Sequence, residues 1–192
     1  MMHPQINIIN LPNRQDRRSS ILEELRQQKI TNFKIWEGIV DGSSAATKIS
    51  QAHKQIVRNA RENNFPSVII AEDDIHFTAP GAFRFFCEHL PAEYDIYLGA
   101  ISHGNIKEDN RVVNFSGLLL YQVHRRFYDT FISMPEQEHI DRALRGKGVY
   151  IVCPSFVVIE HNGKSDNTGK TGDNSIYYAG RPLFGLPPIS FE

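Results

Sequence analysis

Cysteine is scarce: the 192 residues hold two, Cys87 and Cys153, far apart and with no Cys-x-x-Cys pair. That removes the usual spacing for structural zinc or dithiol chemistry, and both are expected as buried thiols. An excess of one charge is also lacking, since 21 Lys and Arg face 22 Asp and Glu for a formal net charge of -1. No global field then draws the chain to nucleic acid or to an anionic membrane, so any phosphate binding has to be local. No apolar run approaches membrane-spanning length, and Met1-Met2-His3-Pro4-Gln5 has no basic segment leading into an apolar one. The expectation is a cytoplasmic protein without an integral membrane segment. A phosphate-cradling loop is missing as well. Gly163-Lys164-Ser165-Asp166-Asn167-Thr168-Gly169-Lys170-Thr171 has one residue too many between its glycines. Gly172-Asp173-Asn174 beyond it cannot open the helix such a loop needs, so the NTPase reading is poor.

What is present centres on Val68-Ile69-Ile70-Ala71-Glu72-Asp73-Asp74-Ile75. A β-branched run ending in three carboxylates reads as a buried strand that delivers charge at its carboxyl end, where open α/β sheets place their ligands. Strand alternation puts Glu72 and Asp74 on one side and Asp73 on the other. The pair suits a hard divalent ion, Mg²⁺ or Mn²⁺, with positions left for phosphate oxygens. The plainer alternative is a buried strand ending in a solvated acidic turn. His161, at a later strand end, would complete such a sphere and favour Mn²⁺, or is a surface turn histidine.

The length suits one domain, 1–192, with a nucleotide-binding half to about residue 100, an acceptor-side half from about 101 to 163 and a flexible polar tail from about 164. Strand Ile6–Leu11, helix 15–29 with Ile21, Leu22 and Leu25 facing inward, and strand Phe33–Glu37 make a βαβ start that favours a parallel sheet. Arg14, Arg17 and Arg18 crowd the first helical turn, where the macrodipole disfavours cations. Either an anion binds there or exposed arginines cost little. Ser50 reads as the N-cap of a helix that carries His53 on its inward stripe, as a core histidine or a ligand. Further on, the sequence predicts a helix over 79–89 and a strand over 94–99. A polar loop over 100–111 and strands over 112–115 and 117–120 follow. Helices over 121–133 and 135–145 precede strands over 149–152 and 156–159, and little order is expected over 164–174.

Ile9-Asn10-Leu11 with Arg14 and Asp16-Arg17, Gly38-x-x-Asp41-Gly42, Ser50-x-x-His53 and Glu72-Asp73-Asp74 occur in that order. Together they resemble glycosyltransferase family 25, the lipooligosaccharide and collagen β-galactosyltransferase group. Tyr94 to Gly99, Ser116-Gly117, Ile140-Asp141 and Ser165-Asp166 look like its later landmarks. The resemblance implies a GT-A fold: a single α/β domain with a Rossmann-like mixed, mostly parallel sheet flanked by helices. It implies metal-dependent inverting transfer of a sugar, galactose above all, from a UDP-sugar to a saccharide acceptor in lipopolysaccharide or cell-surface glycan synthesis. It places Asn10, Leu11 and Arg14 near the nucleotide, Ser50 and His53 beside the donor, and the acidic metal motif at Glu72-Asp73-Asp74. Arg17 joins the nucleotide set. Metal ligands would be Glu72, Asp74 and His161. Inversion needs a base on the acceptor hydroxyl, and Asp141 is the choice, with Asp95 and Glu138 behind it. Partners would be the UDP-sugar and the saccharide, with peripheral membrane association where the acceptor glycan is membrane-bound, and no nucleic acid. The alternatives are a catalytically silent nucleotide-sugar binding module and a nucleotide-sugar hydrolase.

Overall fold

A computed structural model describes residues 4–160, 163–164, 171–172 and 174–187. The first half runs β1 (Ile6–Asn10), α1 (Gln15–Gln27), β2 (Phe33–Glu37), α2 (Ala45–Glu62), β3 (Ser67–Glu72), β4 (Ile75–Phe77) and α3 (Ala82–Glu88). It continues through β5 (Ile96–Leu98), β6 (His103–Ile106), β7 (Arg111–Ser116), β8 (Leu120–His124), α4 (Tyr128–Ser133), α5 (Ile140–Ala143), β9 (Tyr150–Val152) and β10 (Val158–Glu160). Eight strands form one sheet in the order β2-β1-β3-β8-β5-β9-β7-β6. Six of the eight run the same way, with β8 and β7 reversed. The protein is thus an α/β fold with a mixed, mostly parallel sheet flanked by helices.

The strand order fixes where a ligand fits. From β1 the chain steps outward to β2, then crosses back over β1 to β3. Right-handed crossovers in opposite directions send α1 and α2 to opposite faces, and the crevice between them opens at the carboxyl ends of β1 and β3. Strand β3 is inside on both faces, Val68 to Ala71 being buried, which accounts for its unbroken apolar run. β4 pairs with β10 in a separate two-stranded ladder that sets Glu160 opposite Ile75, next to the acidic turn.

Several expectations are corrected by packing. Leu22 is exposed, and the buried face of α1 is Ile21 and Leu25. Helix α2 begins at Ala45, one turn and more before the expected start: Ser44 is the N-cap, its Oγ accepting from the Thr47 N–H at 3.2 Å, and Ser50 lies inside the helix. The segment read as a helix from Tyr121 begins instead as strand β8, which replaces the strand expected over 117–120. Its continuous burial between β3 and β5 mimicked a helical apolar face, and only Tyr128–Ser133 is α-helical. The polar stretch 100–111 contains the edge strand β6, which pairs only with β7 and so carries no buried run. The helix expected over 135–145 contracts to α5, because side chains of α2 capture the backbone before it. The Ser50 Oγ donates to the Glu138 carbonyl at 2.9 Å, and the Lys54 ammonium donates to the Met134 carbonyl. Gly163–Lys164 and Thr171–Gly172 form a short antiparallel ladder where little order was expected. A three-ten helix, Asn174–Tyr178, then buries Tyr178 edge-on to Phe156.

Candidate active-site cleft

A cleft of about 550 Å³ lies at the predicted rim. After β1 come Leu11, Asn13 and Arg17, after β2 Gly38 to Asp41, and after β3 Glu72, Asp73 and Asp74. Because β8 runs the other way, its entry, Gly117 to Leu119, reaches the same rim, and Asp141 and Glu160 close the cleft. Gly38 permits one close approach: a Cβ there would meet Leu11 Cδ2 at 2.8 Å.

The acidic turn departs from the alternation expected of a strand. β3 ends at Glu72, and the turn that follows points both aspartates at Arg17, whose Nη1 donates to Asp73 Oδ1 at 3.2 Å and Asp74 Oδ2 at 2.8 Å. Asn10 Nδ2 donates to Asp73 Oδ2 at 2.6 Å. Asn10, Arg17 and Asp73 are therefore one hydrogen-bonded unit that joins β1, α1 and β3. Asp74 Oδ1 is buried with no hydrogen-bond partner. Glu72 sits apart from Arg17's bonds and meets His53, with 3.3 Å between Oε1 and Nε2.

Proton affinities record the crowding. Burial, with the charges of Glu160, Asp73 and Asp141 behind it, pushes the Glu72 carboxyl up to about 8. Burial and then Glu72 raise Asp74 to about 7, and burial followed by Asp74 raises Glu160 to about 7. Asp73 is raised by burial, against the lowering pull of Asn10 and Arg17. Burial lowers His53 to about 4, so its imidazole is neutral at pH 7. The Tyr121 hydroxyl, kept protonated by burial, lies 2.6 Å from His53 Nδ1. As a donor it makes Nδ1 the acceptor and assigns the ring proton to Nε2, facing Glu72.

Asp141 opens α5, its Oδ2 accepting from the Gly117 N–H at 3.1 Å and its Oδ1 from the Arg142 N–H at 2.8 Å. Gly117, at φ +94°, takes a left-handed conformation that glycine adopts without strain. The two other candidate bases are elsewhere. Asp95 accepts from Arg126 Nε and the Val149 N–H, both at 2.7 Å, and neither it nor Glu138 lines the cleft.

The structure thus brings Leu11, Arg17, His53, Glu72, Asp73, Asp74 and Asp141 to one cleft, with Asn10 just behind. Two of the expected site residues do not line the cleft as described. Arg14 turns to Asp16, making bonds of 3.0 and 2.8 Å, and does not line the cleft. Ser50 is fully buried behind it. His161 lies outside the described residues. Glu160 was missed as a site residue, although Val158-Ile159-Glu160 repeats in small the apolar-then-acidic pattern of β3. Among the described residues no three His, Cys, Asp or Glu side chains are already arranged around a metal position, and no helix is long and apolar enough to cross a membrane.

No protein-family model and no curated protein matches the sequence. Among solved structures the chain is similar to HddC from Yersinia pseudotuberculosis, at 12% identity and a TM-score of 0.53 over 82% of this chain and 93% of that one. It is also similar to A197 from STIV, at 11% identity and a TM-score of 0.51 over 99% and 98%. A glycosyltransferase involved in glycosylation of the major capsid of PBCV-1 aligns at 14% identity and a TM-score of 0.47 over 77% and 80%. The chain shares its fold with the first two. It is an α/β protein with an acidic cleft at the sheet's switch point.

Proposed function

We propose that this protein is a metal-dependent, inverting glycosyltransferase of the family 25 type that moves a sugar, galactose in the simplest case, from a UDP-sugar to a saccharide acceptor. The observation that carries the reading is the frustrated acid cluster. Glu72, Asp74 and Glu160 hold raised proton affinities around a cleft at the switch point, and Asp74 Oδ1 is buried without a partner. An all-oxygen donor set of this kind fits Mn²⁺ or Mg²⁺, and Glu72, Asp74 and Glu160 are the residues that would hold it. When bound, such an ion supplies neutralising charge for the diphosphate leaving group.

The chain's own groups do the rest. Arg17, held by Asp73 and Asp74, brings positive charge to the phosphate end of the cleft, and Leu11 with Gly38 to Asp41 walls the nucleoside end. Neutral His53, locked by Tyr121, holds Glu72 in place. Asp141 takes the proton of the acceptor hydroxyl as that oxygen bonds to the anomeric carbon and the bond to UDP breaks on the opposite face, which inverts the centre. The Gly117 and Arg142 N–H groups fix the carboxylate's orientation. A lipopolysaccharide or other cell-surface glycan acceptor and a cytoplasmic site belong to the same proposal.

Calorimetric titration with UDP and UDP-galactose, with and without Mn²⁺, tests it. Binding is expected to need the metal and to weaken on Glu160→Gln; equal affinity in a chelator would sink the assignment of Glu72, Asp74 and Glu160.

A further inference from the structure

A second groove, of about 450 Å³, lies between the edge strand β6 and the end of the Asn174–Tyr178 helix with the residues that follow it. Its walls are Ser102, His103, Ile176, Tyr177 and Arg181. The His103 and Tyr177 rings are 4.5 Å apart and tilted by 54°, and Tyr177 is exposed. Arg181 Nη2 donates to the Gly104 carbonyl at 2.9 Å, tying segments 77 residues apart and fixing the guanidinium in the groove's lining.

Strand β7 links the groove to the cleft. His103 pairs across the β6–β7 ladder with Ser116, and the Ser102 N–H and Oγ both donate to the Ser116 carbonyl, at 2.9 and 3.0 Å. Ser116 precedes Gly117, the cleft-wall residue whose N–H holds Asp141. Gly117 and Ser116 thus stand between the proposed base and Ser102 on the groove's rim. A half-exposed aromatic face beside a fixed guanidinium and a serine hydroxyl combines an apolar platform with convergent polar groups. A pyranose ring has the matching chemistry, one face of C–H groups and a rim of hydroxyls.

We infer that this groove is an acceptor subsite, binding a sugar ring of the saccharide beyond the residue whose hydroxyl reacts at Asp141. The ring stacks on Tyr177 and its hydroxyls meet Arg181 and Ser102. The role as acceptor subsite rests on the transferase reading, whereas the binding of a saccharide there does not.

The test is NMR titration of labelled protein with methyl glycosides of glucose, galactose and mannose and with lactose, followed through the His103 and Tyr177 ring signals. UDP with Mn²⁺ is titrated into the same samples. At least one sugar is expected to shift the ring signals. Tyr177→Ala should weaken that binding roughly three- to tenfold, Tyr177→Phe should retain it, and neither should change UDP binding. If no sugar moves those signals, or Tyr177→Ala binds as the parent does, the subsite is refuted while the UDP titration still judges the cleft. Sugar binding in the groove without UDP binding in the cleft refutes the transferase reading and leaves a saccharide site.

Discussion

His53 shows how one buried side chain acquires a defined chemical state. Placed on the inward stripe of α2, it is too desolvated to hold a proton, and the Tyr121 hydroxyl then decides which nitrogen carries the remaining one. Tyr121→Phe leaves Nδ1 buried and unsatisfied, which costs about 1–3 kcal/mol; urea unfolding is expected to show that loss, and an unchanged midpoint would argue against the His53–Tyr121 hydrogen bond. Asp141, the proposed base, is the second case. Asp141→Asn keeps the size and, through its one remaining oxygen, only one of the bonds from Gly117 and Arg142, and it removes the proton acceptor, so turnover should fall on the order of 10²–10⁴-fold while UDP-galactose affinity holds. Unaltered turnover would favour a base elsewhere, and no turnover in either protein would favour a silent binding module.

At the scale of elements, α2 works as a clamp. Its polar stripe of Ser50, Gln51, Lys54 and Arg58 reaches Glu136, Glu138 and Met134, and the captured segment leads directly into α5 and Asp141. The bond from Gln51, with Lys54 beside it, holds Glu136 below the usual carboxylate range. This separates two serines that look alike in sequence. Ser44→Ala removes the cap and should cost about 1 kcal/mol with little effect on transfer. Ser50→Ala loosens the clamp and should lower kcat more than it changes donor affinity; steady-state kinetics beside thermal melts distinguishes the two. The elements were legible where a single physical signal ruled. β1, β2 and β3 were read from short apolar or β-branched runs closed by turn or charged residues, α1 from its helical period, and the acids at the end of β3 stood out. β8 and α5 were not, since a strand buried on both faces loses its alternation and a helix shortened by distant side chains carries no local mark.

For the whole molecule, the acid cluster couples stability to pH and, under the proposed function, to metal. Glu72, with a folded value of about 8 against 4.5, and Asp74 and Glu160, at about 7 against 3.8 and 4.5, keep protons that the unfolded chain has released. Their contribution is present at low pH and is lost as pH rises through 7 and 8. His53 acts in the opposite sense: from its ordinary 6.5 down to about 4 the unfolded chain binds a proton that the folded one refuses, so stability falls as pH drops through that range. In a chelator the melting temperature should therefore decline as pH rises from 6.5 to 8, a window in which the three carboxyls dominate. Glu72→Gln should flatten the decline and Mn²⁺ should reverse it. A flat profile for the parent protein would mean that the carboxyls are not crowded in solution.

The sequence alone determined the strands whose burial pattern is local, the βαβ opening and the run of carboxylates at a strand end, because side-chain period and composition act over a few residues. Which acids meet was decided only by the tertiary structure. Arg17 meets Asp73 and Asp74 across more than fifty residues, Glu160 arrives on another ladder, Arg14 pairs with Asp16 and Ser50 bonds to Glu138. Charge interactions depend on distance in space and on the loss of water around each group, and both are set by how the sheet brings separated strand ends to one rim.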